Sequence, residues 1–238
     1  MKLDVLAFGA HPDDVEISAG GTVSKLVSQG KKVGVVDLTR GELGTRGSAD
    51  LRDQESARSA EILGLSVRVN LDLGDGIFES SHENKLRIIE QIRRYQPQII
   101  LANALSDRHP DHGRGASVVK EASFLSGLPK IETSISGESQ KAWRASLVAH
   151  YLQDYYQDPD FVIDVTDFFD QKMDAIKAFS SQFHDPNSRE PQTPISGEGF
   201  FDLIKARALS LGRPAGMELA EGFNVERIFG VDDIFNLL

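Results

Sequence analysis

Short runs of β-branched and apolar residues alternate with helical patterns of about 10–15 residues, and this alternation constrains the fold more than any other feature. Residues 3–8, 32–38, 67–71 and 98–102 read as buried strands. Residues 15–29, 50–63 and 84–95 read as the helices between them, and residues 111–126 as a helix after the fourth strand. The first helix gathers Ile17, Val23, Leu26 and Val27 on one side, and Gly30 is its stop signal. Leu86, Ile88, Ile89 and Ile92 make the same stripe on the third helix, which Pro97 closes. Such an order implies βαβ units with right-handed crossovers, hence a Rossmann-like three-layer α/β/α sandwich with a mostly parallel sheet. No G-x-G-x-x-G follows the first strand, and Gly20-Gly21 falls inside the first helix pattern, so the dinucleotide fingerprint is missing.

The second half is less regular. Residues 145–151 and 161–165 look like strands, and residues 167–179 and 198–211 like helices. Between the two helices, residues 181–197 carry Pro186, Pro191 and Pro194 and read as a long loop. Such a loop in a compact domain is often a lid, a substrate loop or an oligomer contact. No repeat or composition break divides the chain, so residues 1–238 are read as a single domain.

Composition narrows the function. A net charge of −10 argues against a nucleic-acid partner, whose binding rests on Lys and Arg against phosphates. No segment approaches the roughly 20 apolar residues of a membrane helix, and the apolar run at the start is too short for a signal-peptide core. The expectation is a cytoplasmic enzyme with a small-molecule substrate and no membrane partner. The chain has no cysteine, which excludes disulfides, thiolate metal sites and a cysteine nucleophile. Any metal must be held by His and carboxylate groups.

Two segments carry chemistry. Ala10-His11-Pro12-Asp13-Asp14 follows the first strand, and Asp107-Arg108-His109-Pro110-Asp111-His112 follows the fourth. Both stand where a parallel sheet delivers its strand ends, the place where ligands bind in open α/β sheets. Together they bring His11, His109 and His112 beside Asp13, Asp14 and Asp111, with no lysine. Two imidazoles and one carboxylate make a common catalytic zinc set with an open fourth position. An isolated His-Pro-Asp is most often a turn, and Asp13, Asp14 or Asp111 could each simply cap a helix. Finding the motif twice, after two sheet strands, is harder to dismiss. Spacing alone does not decide between Asp13 and Asp14 as the ligand.

These paired segments resemble the signature of the PIG-L/LmbE family of zinc-dependent N-deacetylases. Leu38-Thr39-Arg40-Gly41-Glu42-Leu43-Gly44 is similar to that family's loop after the second strand. Arg52-Asp53-Gln54-Glu55 with Ala60 and Leu63-Gly64 is similar to its next helix, so the likeness covers roughly residues 1–125. The resemblance implies that His11, Asp14 and His112 bind one Zn²⁺ per chain, with Fe²⁺ chemically reasonable for the same donors. It implies Asp13 as general base, His109 as general acid or charge stabiliser, and Asp111 as the group that orients a histidine. On this reading, Asp111 could also keep His109 protonated. Residues 1–125 would be the metal-site core, and residues 126–238 the half that meets substrate and other subunits. Ala220-Glu221-Gly222-Phe223, with Arg108, resembles the bacillithiol-biosynthesis branch, which removes acetate from N-acetylglucosaminyl-malate. Relatives of that branch imply a homo-oligomer.

Substrate contacts are expected from Arg40, Arg46, Arg52 and Arg108, because a guanidinium fork suits a carboxylate bidentately. Each could equally be a solvated surface arginine. Glu42 could bond sugar hydroxyls or pair locally. His82 reads as surface, His150 as a satisfied core residue and His184 as a lid candidate. The rival readings are a deacetylase of another N-acetylglucosamine derivative, a metal phosphoesterase, and a non-catalytic metal- or sugar-binding protein. Phosphoesterase sites more often hold two metals, whereas ligands for only one clear site appear here.

Overall fold

A computed structural model describes residues 1–183 and 188–237. His184 lies outside the described residues. The chain begins with β1 (Val5–Gly9), α1 (Asp14–Ser28), β2 (Val33–Asp37), α2 (Ala49–Leu63), β3 (Val67–Asn70), α3 (His82–Tyr95), β4 (Ile99–Ala102) and α4 (Pro110–Ser126). These are the expected elements, with ends displaced by at most two residues. The rest comprises a small hairpin of β5 (Ser134–Ile135) and β6 (Glu138–Ser139), then β7 (Leu147–Tyr151), β8 (Phe161–Asp164), α5 (Phe169–Lys177), α6 (Phe200–Gly212) and β9 (Ala220–Val225).

One seven-stranded sheet runs β3-β2-β1-β4-β7-β9-β8. The first five of these strands are parallel to one another, and β9 is antiparallel to both β7 and β8. Helices cover both faces, so β1 is apolar throughout rather than alternating with polar residues. Leu6 and Phe8 pack toward α3 and α4 with Ile88, Ile92 and Val118. Val5 and Ala7 pack the other way, toward α1, α2 and α5, with Ala19, Val23, Leu63 and Ala175. The fold is therefore the expected mixed α/β sandwich. No helix among the described residues is long and apolar enough to cross a membrane.

The sequence reading has no strand at residues 220–225, and the reason is chemical. Its Glu221 is buried yet satisfied: the carboxylate accepts from the backbone N–H groups of Gly21 (2.9 Å) and Thr22 (2.7 Å) and from Lys172 Nζ (2.6 Å). Gly21 is required there, because a Cβ would sit 2.7 Å from the Val165 side chain. Glycines inside the α1 pattern thus serve close packing rather than a cofactor. Phe223 is buried and stacks on Phe161 at 5.2 Å, so packing accounts for the whole Ala220–Phe223 segment.

Topology places the site. From β1 the chain winds to β2 and β3 on one side, then crosses to β4 on the other. The loops leaving β1 and β4 consequently diverge at adjacent strand ends and open a crevice between them.

Candidate metal centre

His11, Asp13 and Asp14 leave β1, and His109, Asp111 and His112 enter α4, so the crevice brings all six together. Ring centroids lie 4.6 Å apart for His11 and His109, 5.6 Å for His11 and His112, and 5.2 Å for His109 and His112. A cavity of about 440 Å³ opens onto His11, Asp13, Asp14, His109 and His112, with Arg52, Asp75, Arg108, Gln182 and Ile195 also on its wall. A smaller apolar cleft of about 270 Å³, beside Tyr155, Tyr156 and Leu203, gathers no histidine.

Outer partners decide which ring nitrogens face inward. His11 Nε2 lies 3.0 Å from Asp75 Oδ1 and 3.4 Å from Asp111 Oδ2, so that nitrogen carries the proton. Nδ1, 3.7 Å from Asp14 Oδ2, is the nitrogen left to offer its lone pair to a cation, which would displace the proton it otherwise carries. His112 Nδ1 is bonded to Asp107 Oδ2, which turns Nε2 toward Asp14 Oδ1 at 3.1 Å. A carboxylate behind each imidazole is the usual support of a metal-ligating histidine. Ligand atoms also gather within 4.8 Å of one another in the sets His11–His109–His112 and His11–Asp75–Asp111. The second set uses the His11 nitrogen that the carboxylates already occupy, so the first side is the better cation site. Nitrogen and oxygen donors with room for water suit a zinc-like ion.

The electrostatics agree. Burial would lower both His11 and His112, but the surrounding carboxylates outweigh it and lift them to about 10 and about 9. Burial would raise Asp14, yet His112 and His11 hold it below the usual carboxylate range. The crevice therefore favours added positive charge, which a divalent cation also supplies. Burial pushes His109 down, and the neighbouring His11 and His112 push the same way. His109 Nδ1 accepts from the Asp111 backbone N–H at 3.3 Å, which leaves the proton of the neutral ring on Nε2.

Asp13 stands apart. It precedes α1 with φ 116° and ψ −23° and makes no side-chain capping bond. A non-glycine residue in that region is strained, and such strain collects at functional sites. Its carboxylate is buried, with Arg52 Nη1 at 3.8 Å, and burial lifts it to about 7. Asp13 stands at the N-cap position of α1 without capping it through its side chain, and the cap of α4 is His109 rather than Asp111.

Other expected contacts fall elsewhere. Asp111 accepts from the Gly76 N–H at 2.8 Å and from Arg114, and it touches His11. It is thus placed to orient His11, while support for a charged His109 from Asp111 is outweighed by burial and by the other two histidines. Arg40 is taken up by Asp50 (2.7 Å) and Asp53 (2.5 Å) on the surface. Arg46 is buried and its guanidinium is taken up by the carbonyls of Ser181 (2.8 Å) and Phe183 (3.4 Å), which pins the long loop. Glu42 pairs locally with the backbone N–H of Arg40 at 3.2 Å and also accepts from the backbone N–H of Asp75 at 2.7 Å, which ties the loop after β2 to the turn beyond β3. Arg52 and Arg108 do reach the cavity, Arg108 also bonding Asp154 at 2.8 Å.

The sequence reading gave no role to Asp75, Asn103, Asp107 or Gln153, all of which touch the cluster. Asp75 lies between two glycines beyond β3, Asn103 directly follows β4, and Gln153 lies two residues past β7. For Asn103 and Gln153 the available signal was position just past a strand end, for Asp107 its place in the second motif and for Asp75 its place in a Gly-Asp-Gly turn.

A profile of the PIG-L family, described as GlcNAc-PI de-N-acetylase, matches residues 6–123. Diacetylchitobiose deacetylase of Thermococcus kodakarensis is 31% identical over 92% of this chain and 81% of its own. The solved structure of a conserved protein from Thermus thermophilus superposes with a TM-score of 0.84 at 32% identity, covering 97% of this chain and 98% of the other. 4-Oxalmesaconate hydratase of Pseudomonas putida is 28% identical over 75% of this chain and 74% of its own. A probable N-acetyl-alpha-D-glucosaminyl L-malate deacetylase of Bacillus cereus is more distant, at 26% over 76% and 84%.

Proposed function

This chain belongs to the PIG-L family of de-N-acetylases, and from that membership we propose that it hydrolyses the N-acetyl group of an N-acetylglucosaminyl substrate at a Zn²⁺ ion held by His11, Asp14 and His112. The observation that carries the reading is the pair of inward nitrogens, His11 Nδ1 and His112 Nε2, flanking Asp14 while carboxylates hold their far sides. The bound ion supplies a Lewis acid that polarises the acetyl carbonyl and lowers the pKa of water. Asp13, lifted toward neutrality by burial, takes the proton of the attacking water. Its strained backbone keeps the carboxylate out of the helix cap. His109 offers Nε2–H to the developing oxyanion, and the proton that Asp13 takes from the water passes on to the departing amine. Asp111 and Asp75 fix the His11 ring. Arg52 and Arg108 receive the polar groups of the substrate beyond the acetamide.

N-acetylglucosaminyl-malate remains the finer substrate reading, supported by Arg108 at the cavity wall, where a guanidinium meets a carboxylate well. The more similar Thermococcus relative is named for a disaccharide, so diacetylchitobiose is the comparison substrate. We also read residues 1–238 as one functional unit that assembles into a homo-oligomer; the exposed Ile228, Ile234 and Phe235 support association. Light scattering tests that point.

The test of function is acetate release, with and without chelator, from N-acetylglucosaminyl-malate, diacetylchitobiose and N-acetylglucosamine. Chelator-sensitive release from any of them supports the deacetylase, and strong preference for the malate glycoside supports the finer reading. Metal-loaded protein that releases no acetate from all three refutes the proposal, and the hydratase relative makes that outcome a real one.

A further inference from the structure

Two primary amides hold the Asp14 carboxylate from behind. Asn103 donates from Nδ2 to Oδ2 at 2.9 Å, and Gln153 donates from Nε2 to Oδ1 at 3.1 Å. Both side chains are buried, and they come from the ends of the paired strands β4 and β7. Their orientation is determined by their other bonds. Gln153 Oε1 accepts from the Ala104 backbone N–H and from Asn103 Nδ2, each at 3.0 Å, so its NH₂ must face Asp14. Asn103 directs its two N–H bonds to Asp14 and Gln153 and leaves Oδ1 buried without a partner among the described residues. An unsatisfied buried carbonyl is destabilising. Turning the amide over would bring that oxygen against two acceptors, which is worse. The arrangement tolerates an orphaned oxygen in order to aim two donors.

The count of bonds on Asp14 then distinguishes its oxygens. Oδ2 accepts from Asn103 Nδ2 and from the His11 backbone N–H, each at 2.9 Å, which occupies both of its lone pairs. Oδ1 accepts from Gln153 and has its remaining side facing His112 Nε2 at 3.1 Å. We propose that Asn103 and Gln153 are positioning residues that make Asp14 a one-oxygen metal ligand through Oδ1 and set the strength of metal binding. This rests on the reading of His11, Asp14 and His112 as the ligands. A carboxylate held to one oxygen leaves coordination positions for water and for the acetyl oxygen.

Asn103→Leu and Gln153→Leu remove the donors at nearly constant size. The measurements are zinc affinity by chelator competition, the visible spectrum of cobalt-loaded protein, and thermal stability of the metal-free form. Each variant is expected to weaken zinc binding about 10–100-fold. Asn103→Leu should also weaken the cobalt absorption, because Oδ2 becomes free to coordinate and the coordination number rises. If Asn103→Leu does not fold, the affinity of Gln153→Leu still decides. A lower melting temperature with unchanged zinc affinity and an unchanged spectrum assigns the amides to packing alone and overturns the proposal. Wild-type protein that holds no chelator-sensitive metal overturns the ligand reading together with this one, whereas metal-binding wild type with an unshifted Gln153→Leu overturns only this one.

Discussion

Lys172→Met tests the account of how α1, α5 and β9 are joined. Lys172 and Glu221 are almost fully buried, with 3% and 2% of their side chains exposed, and their charged atoms are 2.6 Å apart. Removing one partner of a buried pair strands the other charge, at a cost of about 3–5 kcal/mol. Here the carboxylate keeps its bonds from Gly21 and Thr22, which places the loss near the lower end. An unfolding entropy of about 2.1 cal/mol/K per residue over 238 residues gives about 0.5 kcal/mol/K, so about 3 kcal/mol lowers the melting temperature by about 6 °C. Glu221→Gln should cost at least as much. Its two oxygens each accept from a different backbone N–H, and an amide turns an NH₂ group against one of them. The double variant, Lys172→Met with Glu221→Gln, should therefore remain destabilised even though no charge is stranded. Thermal and urea melts of all three variants provide the assay. A single variant melting within about 2 °C of wild type, or full recovery in the double, would refute the reasoning.

Asp13→Asn should retain metal and lose about 10²–10⁴-fold in kcat, the usual contribution of a general base, while Asp14→Asn should lose the metal; elemental analysis beside acetate release separates them. The reverse pattern exchanges the two roles. Asp75→Asn and Asp107→Asn should each weaken zinc binding about 10–100-fold, measured by chelator competition, because each removes the carboxylate behind a histidine ligand. Arg46→Ala should raise KM more than it lowers kcat, since Arg46 holds the loop whose Gln182 and Ile195 line the cavity. Arg46→Lys should not rescue, because one ammonium cannot replace a fork that reaches separate acceptors. Arg40→Ala should leave kcat/KM within about twofold, as an exposed ion pair away from the cavity contributes little.

How much of the fold could be read in advance follows from burial. The strands β1, β2 and β4 are covered on both faces, so apart from Asp37 at the end of β2, which Arg68 pairs, they carry no charged residue, and glycine or proline punctuates the helices between them. In β9 the pattern failed because a buried glutamate is a strand residue only when a lysine and two helix amides meet it, and those partners are about 50 and 200 positions away. The short β5–β6 hairpin has exposed, polar strands with no apolar alternation to reveal them.

The site divides along the same line. His11, Asp13, Asp14, His109, Asp111 and His112 were legible because reactive residue types recur beside proline immediately after two strands. The arginines were legible only by half, since a guanidinium gives no local sign of what it will meet: Arg52 and Arg108 line the cavity, whereas Arg40 found Asp50 and Asp53, and Arg46 found loop carbonyls. Residues supporting the ligands were hidden for another reason. Asp75, Asn103 and Gln153 leave three different strands, and only the order β3-β2-β1-β4-β7 lays those ends side by side. Once that order is known, each polar residue just past a parallel strand becomes a candidate for the crevice, and these three have their side chains bonded to His11 or Asp14. Motif spacing therefore identifies what touches the ion, whereas sheet order identifies what holds those groups still, and the amide clamp on Asp14 belongs wholly to the second kind of information.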